Sequence, residues 1–268
     1  PRSFRHYRLF RRVMERFLQP VRLLVMQSAA DAERMLALGP SPERVLNCGN
    51  LKYDQALQPP SPAQQQELEQ RLPTPEGLVW LAASTHPGEE EIIIATLRAL
   101  QKEWPTLRLI LVPRHPERAA AVAKMVRDAA LPCTLFSQLA GPWQGDVLLV
   151  DQVGWLTRLY RYAHIAFVGG SLIPHGGQNM LEPASQGIPT LFGPHTVNFR
   201  DAVRQLLEQE AAIALTNSAQ LYPAMQSLLA DPSRRHALAE RAKAVVNSNA
   251  GALQRTLQTI QPFLDPPP

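Results

Sequence analysis

From residue 78 onward, short apolar runs alternate with helical stretches, and this alternation leaves few ways to fold. The runs at 78–83, 107–112, 147–150, 165–168, 189–192 and 212–215 are each followed by a stretch of helical character. Strands joined by crossover helices pair in parallel and are buried on both faces, which is why these runs are continuously apolar rather than alternating. The pattern predicts an α/β fold of the doubly wound, Rossmann-like kind. Ligands of such sheets bind beyond the carboxyl ends of the strands. The polar loops that follow the runs are therefore where function is expected.

Upstream of residue 78 the organisation changes. Phe4, Tyr7, Phe10, Val13, Met14, Phe17 and Leu18 recur at helical spacing with arginines between them, predicting a basic amphipathic helix that ends at Pro20. An apolar run at 21–26, a helix at 29–38 capped by Ser28, and a strand at 45–48 complete a strand-helix-strand segment too short to bury a sheet of its own. Residues 58–76, with Pro59, Pro60, Pro62, Pro73 and Pro75 around a Gln/Glu-rich stretch, read as a linker carrying one short helix.

Composition excludes several classes. A chain of 268 residues that is 45% hydrophobic is globular. Cys48 and Cys133 lie far apart and form no zinc spacing, so no disulfide framework or structural zinc is encoded, and a reducing compartment is the default. No uncharged apolar run reaches the roughly 18 to 20 residues of a membrane helix. The net charge of +4 is unevenly placed: residues 1–22 hold seven arginines against the single Glu15, and the remainder is slightly acidic. One local basic patch is not the spread charge of a nucleic-acid-binding surface. It suits either a solvated helix face or an anionic membrane surface.

Four post-strand loops carry the candidate chemistry. The first, Ser84-Thr85-His86-Pro87-Gly88-Glu89-Glu90, precedes a helix, and its glutamates read most simply as acids at a helix start. In the second, Pro113-Arg114-His115-Pro116-Glu117-Arg118, two prolines fix the backbone around an Arg-His pair, and Arg114 is suited to a phosphate. The third runs from Gly169-Gly170-Ser171 to His175-Gly176-Gly177-Gln178-Asn179-Met180-Leu181-Glu182-Pro183. Its glycines let backbone amides approach an anion, and Glu182, one turn into a helix, is within reach of a ribose diol. The fourth holds His195 and Asn198. The four loop histidines lack the carboxylates or HxxxH spacing of a metal site, and neither a GxSxG elbow nor a P-loop occurs.

Taken in order, Gly49-Asn50-Leu51-Lys52-Tyr53-Asp54, the Ser84-to-Glu89 loop, the Pro113-to-Arg118 loop, Phe167-to-Ser171 and His175-to-Pro183 resemble the 3-deoxy-D-manno-octulosonic acid (Kdo) transferases of lipopolysaccharide assembly. The resemblance covers essentially the whole chain. It implies a two-domain Rossmann-like glycosyltransferase of the GT-B type, with residues 1–57 the end of the N-terminal acceptor-binding domain, 58–76 the linker and 77–268 a complete donor-binding domain. It further implies metal-independent transfer of Kdo from CMP-Kdo to a lipid A precursor, with inversion, at the cytoplasmic face of the inner membrane, and needs no cofactor.

Carried over by position, the resemblance sets CMP against Pro113 and Arg114, the loop Gly154-Trp155-Leu156, and Asn179, Met180, Leu181 and Glu182. Lys52 takes the role of transition-state stabiliser, while Ser84, His86, His115, Gly169, Gly170, Ser171 and Gly177 are candidate donor contacts. Family members usually carry Gly-Glu-Leu where this chain has Gly154-Trp155-Leu156, so the acid is lost or replaced by stacking on the indole. The glutamate general base, the membrane anchor and most of the acceptor domain have no counterpart in these residues, which implies a fragment inactive alone. Neither Glu15 nor Glu33 is placed to substitute. Other readings are a GT-B transferase or epimerase using a UDP-sugar, and a non-catalytic nucleotide- or lipid-surface-binding module.

Overall fold

The computed structural model describes residues 2–59, 61–72, 76–139 and 141–264. The Arg2 side chain in the basic segment, Pro60, Pro73 and Pro75 of the expected linker, and residues 265–268 of the expected second domain lie outside the described residues. The chain forms two compact units, Pro1–Gln58 with Asn247–Pro268, and Pro59–Val246.

In the first unit, strands β1 (Leu24–Met26) and β2 (Val45–Asn47) pair in parallel, with Leu24 opposite Val45. The helix Ala29–Leu36 crosses between them, and Ser28 accepts the Asp31 N–H at its start. The basic segment, expected as one helix, is two, Arg2–Leu9 and Arg11–Leu18. They break at Phe10, whose ψ of 31° leaves the helical range. Tyr7, Leu9, Phe10, Val13 and Phe17 are exposed on them.

Residues 247–264, grouped by their sequence with 77–268, pack in this first unit instead. The cause is local. Asn50 caps the helix Leu51–Ala56 by accepting the Lys52 N–H, and Asp54 on that helix accepts the N–H groups of Gly251 at 2.6 Å and Leu253 at 3.1 Å. A carboxylate thus satisfies the free amides at the start of the helix Ala252–Leu264. Arg255 in turn donates to the Cys48 carbonyl.

The second unit is built on a seven-stranded sheet among the described residues: β3 (Val79–Thr85), β4 (Arg108–Pro113), β5 (Cys133–Leu135), β6 (Val147–Leu149), β7 (Ile165–Val168), β8 (Thr190–Phe192) and β9 (Ile213–Ala214). Their spatial order is β5-β6-β4-β3-β7-β8-β9, and every pairing is parallel. Six of these strands lie within two residues of the predicted runs; the edge strand β5 is additional.

Successive residues of each strand serve opposite layers, as the pleat requires. Trp80, Ala82, Leu109 and Leu111 face the helices Glu90–Leu100 and Ala119–Asp128 through Ile93, Leu97, Val122 and Val126. Val79, Leu81, Ile110 and Leu148 face the other layer, where Leu68, Leu72, Phe136 and Tyr160 pack. The helix expected as part of a linker, Pro62–Arg71, is therefore part of this core. Leu68 and Leu72 are completely buried, a gain of about 1.5 to 3 kcal/mol each. Arg71 extends the contact by lying 4.3 Å over the Phe136 ring and donating to the Phe136 carbonyl.

Candidate functional site at the carboxyl ends of β3, β4 and β7

β3 and β7 are neighbours, yet the chain leaves β3 toward β4 and leaves β7 toward β8. Such a reversal opens a crevice between the two crossovers, where open α/β sheets bind ligands. The loops after β3 and β7 meet there through Glu89. Its fully buried carboxylate accepts the N–H groups of His86 at 3.0 Å and Gly170 at 2.7 Å on one oxygen, and of Ser171 at 3.1 Å and Leu172 at 3.0 Å on the other. Burial pushes the Glu89 carboxyl up from its usual value, and the four N–H groups pull it back. With both oxygens accepting twice, the anion is the form this geometry fits.

This arrangement corrects the expected role of the glycine pair. The amides of Gly170 and Ser171 are already committed to Glu89, so they are closed to a donor phosphate. Gly169, Gly170 and Ser171 are buried, and the Ser171 hydroxyl bridges the Val168 carbonyl and the Gly193 N–H. These three residues shape the crevice. Gly169 is required by close approach: a Cβ there would lie 2.6 Å from the Ser84 oxygen and 2.7 Å from the Thr85 Cα. Opposite it, the register of β3 shifts between Ala83 and Thr85, and Ser84 takes a φ of +50°, a strained conformation for a serine.

Glu90, also fully buried, accepts the Thr85 hydroxyl at 3.1 Å and pairs with Arg118 at 2.7 Å. Both glutamates stand at the helix start read from the sequence, Glu89 before the first turn and Glu90 within it, and their carboxylates also tie loops together. Arg118 is consumed by this pair, whereas Arg114 is exposed and its side chain forms no hydrogen bond or ion pair among the described residues. Its backbone is held by an N–H bond to the Thr85 carbonyl at 2.9 Å, directly after Pro113.

Beyond β7, Asn179 donates to Glu182 at 3.0 Å while its carbonyl oxygen accepts the Leu181 N–H at 3.1 Å. Burial raises the Glu182 carboxyl, with the Asn179 bond opposing, and both burial and Glu182 push the Tyr160 phenol well up. Met180 and Leu181 have fully buried side chains, which leaves only their backbone to face a ligand. Gly177, at φ +78°, lets the loop turn; Asn198 braces it with an N–H to the Gly176 carbonyl. His195 lines a cleft of about 310 Å³ with Arg200 and Thr196, and with Pro174 and Gly176 of the loop after β7.

After β6, Gly154 has φ +87° and precedes Trp155, whose indole is half-buried against Phe136 at 5.1 Å. Arg71 and Arg158 lie over the same indole at 5.2 and 5.5 Å. Leu156 starts the helix Leu156–Leu159, and Gln186 ties that helix to the Glu182 helix through the Thr157 carbonyl. Lys52 belongs to the first unit, in the first turn of Leu51–Ala56. Among the described residues no group of three or more His, Cys, Asp or Glu is arranged to hold a metal ion. Nor is any described helix long and apolar enough to cross a membrane.

Residues 1–55 match the family described as "3-Deoxy-D-manno-octulosonic-acid transferase (kdotransferase)". The 3-deoxy-D-manno-octulosonic acid transferase of Haemophilus influenzae is 35% identical over 98% of this chain and 62% of its own length. The solved C-terminal CMP-Kdo binding domain of WaaA from Acinetobacter baumannii is 31% identical, with a TM-score of 0.63 over 69% of this chain and 96% of that domain. The chain belongs to the Kdo transferase family.

This Kdo transferase family member spans less than two thirds of the length of the curated relatives it matches. Its fold is shared more widely. Anabaena Alr3699/HepE, solved in complex with UDP and glucose, superposes with a TM-score of 0.56 over 96% of this chain and 67% of its own, at 15% identity. The likeness extends to the α/β architecture and no further.

Proposed function

We propose that the second unit binds CMP-Kdo, and that the chain serves transfer of Kdo from that donor, with inversion, to a lipid A precursor. The observation that carries this reading is the unpaired, exposed Arg114 held at the carboxyl end of β4, beside a crevice where Arg118 is already spent on Glu90. As the glycosidic bond breaks, negative charge grows on the leaving phosphate. A guanidinium free of carboxylates, on a backbone tied to β3, stabilises that charge without first breaking an ion pair. Glu182, oriented by Asn179, is suited to accept from the ribose hydroxyls. The relative named a CMP-Kdo binding domain supports this assignment. Lys52 is assigned charge stabilisation on the family resemblance alone.

Arg114→Ala is expected to weaken CMP binding by about 10- to 100-fold, the worth of a lost charge-assisted hydrogen-bond pair. Glu182→Gln should cost less, about 5- to 10-fold, because an amide still accepts one hydroxyl. Calorimetric titration with CMP, UMP and UDP reads both. Unchanged affinity in the two variants removes the site assignment, and tighter binding of UDP than of CMP removes the donor.

For the acceptor side, the two basic helices with their exposed Phe10, Val13 and Phe17 are proposed to rest on an anionic lipid surface. Replacing Arg5, Arg8, Arg12 and Arg16 with Gln should lower binding to phosphatidylglycerol vesicles by about 100-fold or more, at about 1 kcal/mol per arginine. CMP affinity should stay as it was. Equal sedimentation of both proteins with vesicles would discard this contact.

A further inference from the structure

The proposed donor carries two anionic groups, the phosphate of CMP and the carboxylate of the sugar acid, and Arg114 accounts for one of them. Three imidazoles crowd the same end of the sheet. His86, after β3, is 4% exposed. His175, from the loop after β7, lies over it with ring centroids 4.1 Å apart, and His115, after β4, meets it edge-on at 5.9 Å. Gln178 sets its side-chain nitrogen 3.2 Å from His86 Nε2. His115 and His175 are exposed, so the three rings form a shallow bowl with His86 as its floor.

Of the charged groups around this bowl, only Arg114 has no partner among the described residues. Arg114 and Arg118 both act on His86. Of the acids, Glu89 is saturated by four backbone N–H groups, and Glu90 by Arg118 and Thr85. Among the described residues only the exposed Glu117 reaches an imidazole of the bowl, pairing with His115 at 3.4 Å. Burial, then His175, His115 and the two arginines, hold His86 down to about 4. It is therefore neutral at physiological pH. With Glu89 and Glu90 held by their own partners and Glu117 on His115, Arg114 and His175 are left without an acid among the described residues, a pair that an anion from outside satisfies.

Resting on the donor reading above, we propose that the bowl formed by His86, His115, His175 and Gln178 receives the carboxylate of the sugar acid, leaving Arg114 for the phosphate. A carboxylate seated there favours the protonated form of the imidazoles it touches. Binding of the complete donor then takes up a proton from solvent, and binding of CMP alone does not.

Calorimetric titrations of CMP and of fresh CMP-Kdo at pH 6.5, each in two buffers of different ionisation enthalpy, test this on the whole chain. CMP-Kdo is expected to bind about tenfold more tightly than CMP, with proton uptake only for CMP-Kdo. His175→Gln, at an exposed ring, should abolish both the gain and the uptake while leaving CMP affinity within about twofold. His115→Gln provides a second exposed variant and should reduce the gain. Equal binding of CMP and CMP-Kdo, or an unaltered difference in both variants, overturns the carboxylate site while the CMP assignment stands. If CMP itself fails to bind, the donor reading falls and this inference with it.

Discussion

Glu89→Ala is expected to cost about 4 kcal/mol or more of stability, read as a shift of the urea midpoint. The substitution orphans four N–H groups at once, three buried and that of Leu172 partly so, each buried one worth about 1 to 3 kcal/mol when left without an acceptor. Few single substitutions act through so many bonds to one side chain. Against a total of about 5 to 15 kcal/mol for a domain, such a loss leaves a substantial unfolded fraction. Glu89→Gln should fall between, since its carbonyl oxygen still accepts two of the four while its NH₂ faces the other two. CMP affinity should weaken in both variants, because the loops after β3 and β7 lose their common anchor. An alanine variant within about 1 kcal/mol of the parent would show that the loops hold each other without the carboxylate.

Gly169→Ala should be nearly as damaging, at about 3 kcal/mol, for a purely steric reason. The new methyl group would meet the Ser84 oxygen at 2.6 Å and the Thr85 Cα at 2.7 Å, both backbone atoms. Neither yields unless β3 and β7 separate where the Gly169 N–H bonds the Ala83 carbonyl at 2.8 Å. Gly154→Ala makes the useful contrast. There φ is +87° but nothing lies within 4 Å, so only the conformational cost of about 1 kcal/mol applies. Thermal denaturation of the two variants should separate crowding from backbone strain; equal destabilisation would mean that the β3 bulge gives way.

How much of this was legible in the chain depends on what each residue answers to. The runs that became β3, β4, β6, β7, β8 and β9 are continuously apolar because both faces are buried, and that signal is local. β5 was not legible because an edge strand of three half-buried residues, one of them Thr134, carries no such run. Leu68 and Leu72 stand four apart in a Gln/Glu-rich stretch, enough to define one buried stripe but too little to outweigh the surrounding prolines. Arg114 and Glu182 could be singled out by type and position after strands. Glu89 could not, because an acid at a helix start already has an ordinary explanation. Its partners Gly170, Ser171 and Leu172 lie more than 80 residues away, and only the sheet order brings them beneath it. Likewise Asp54, within a recognisable motif, serves a helix start almost 200 residues later.

Because Glu89 is tethered to the chain, it meets the glycine loop at an effective concentration no dissolved anion can match. The loop therefore keeps its shape with no counterion borrowed from solution, and inorganic phosphate has no vacant nest in which to compete. Ionic strength acts instead on the exposed guanidinium of Arg114, where a screening cloud can form. Added salt should thus loosen the ligand and spare the scaffold, a division of labour set by which anion is covalently attached.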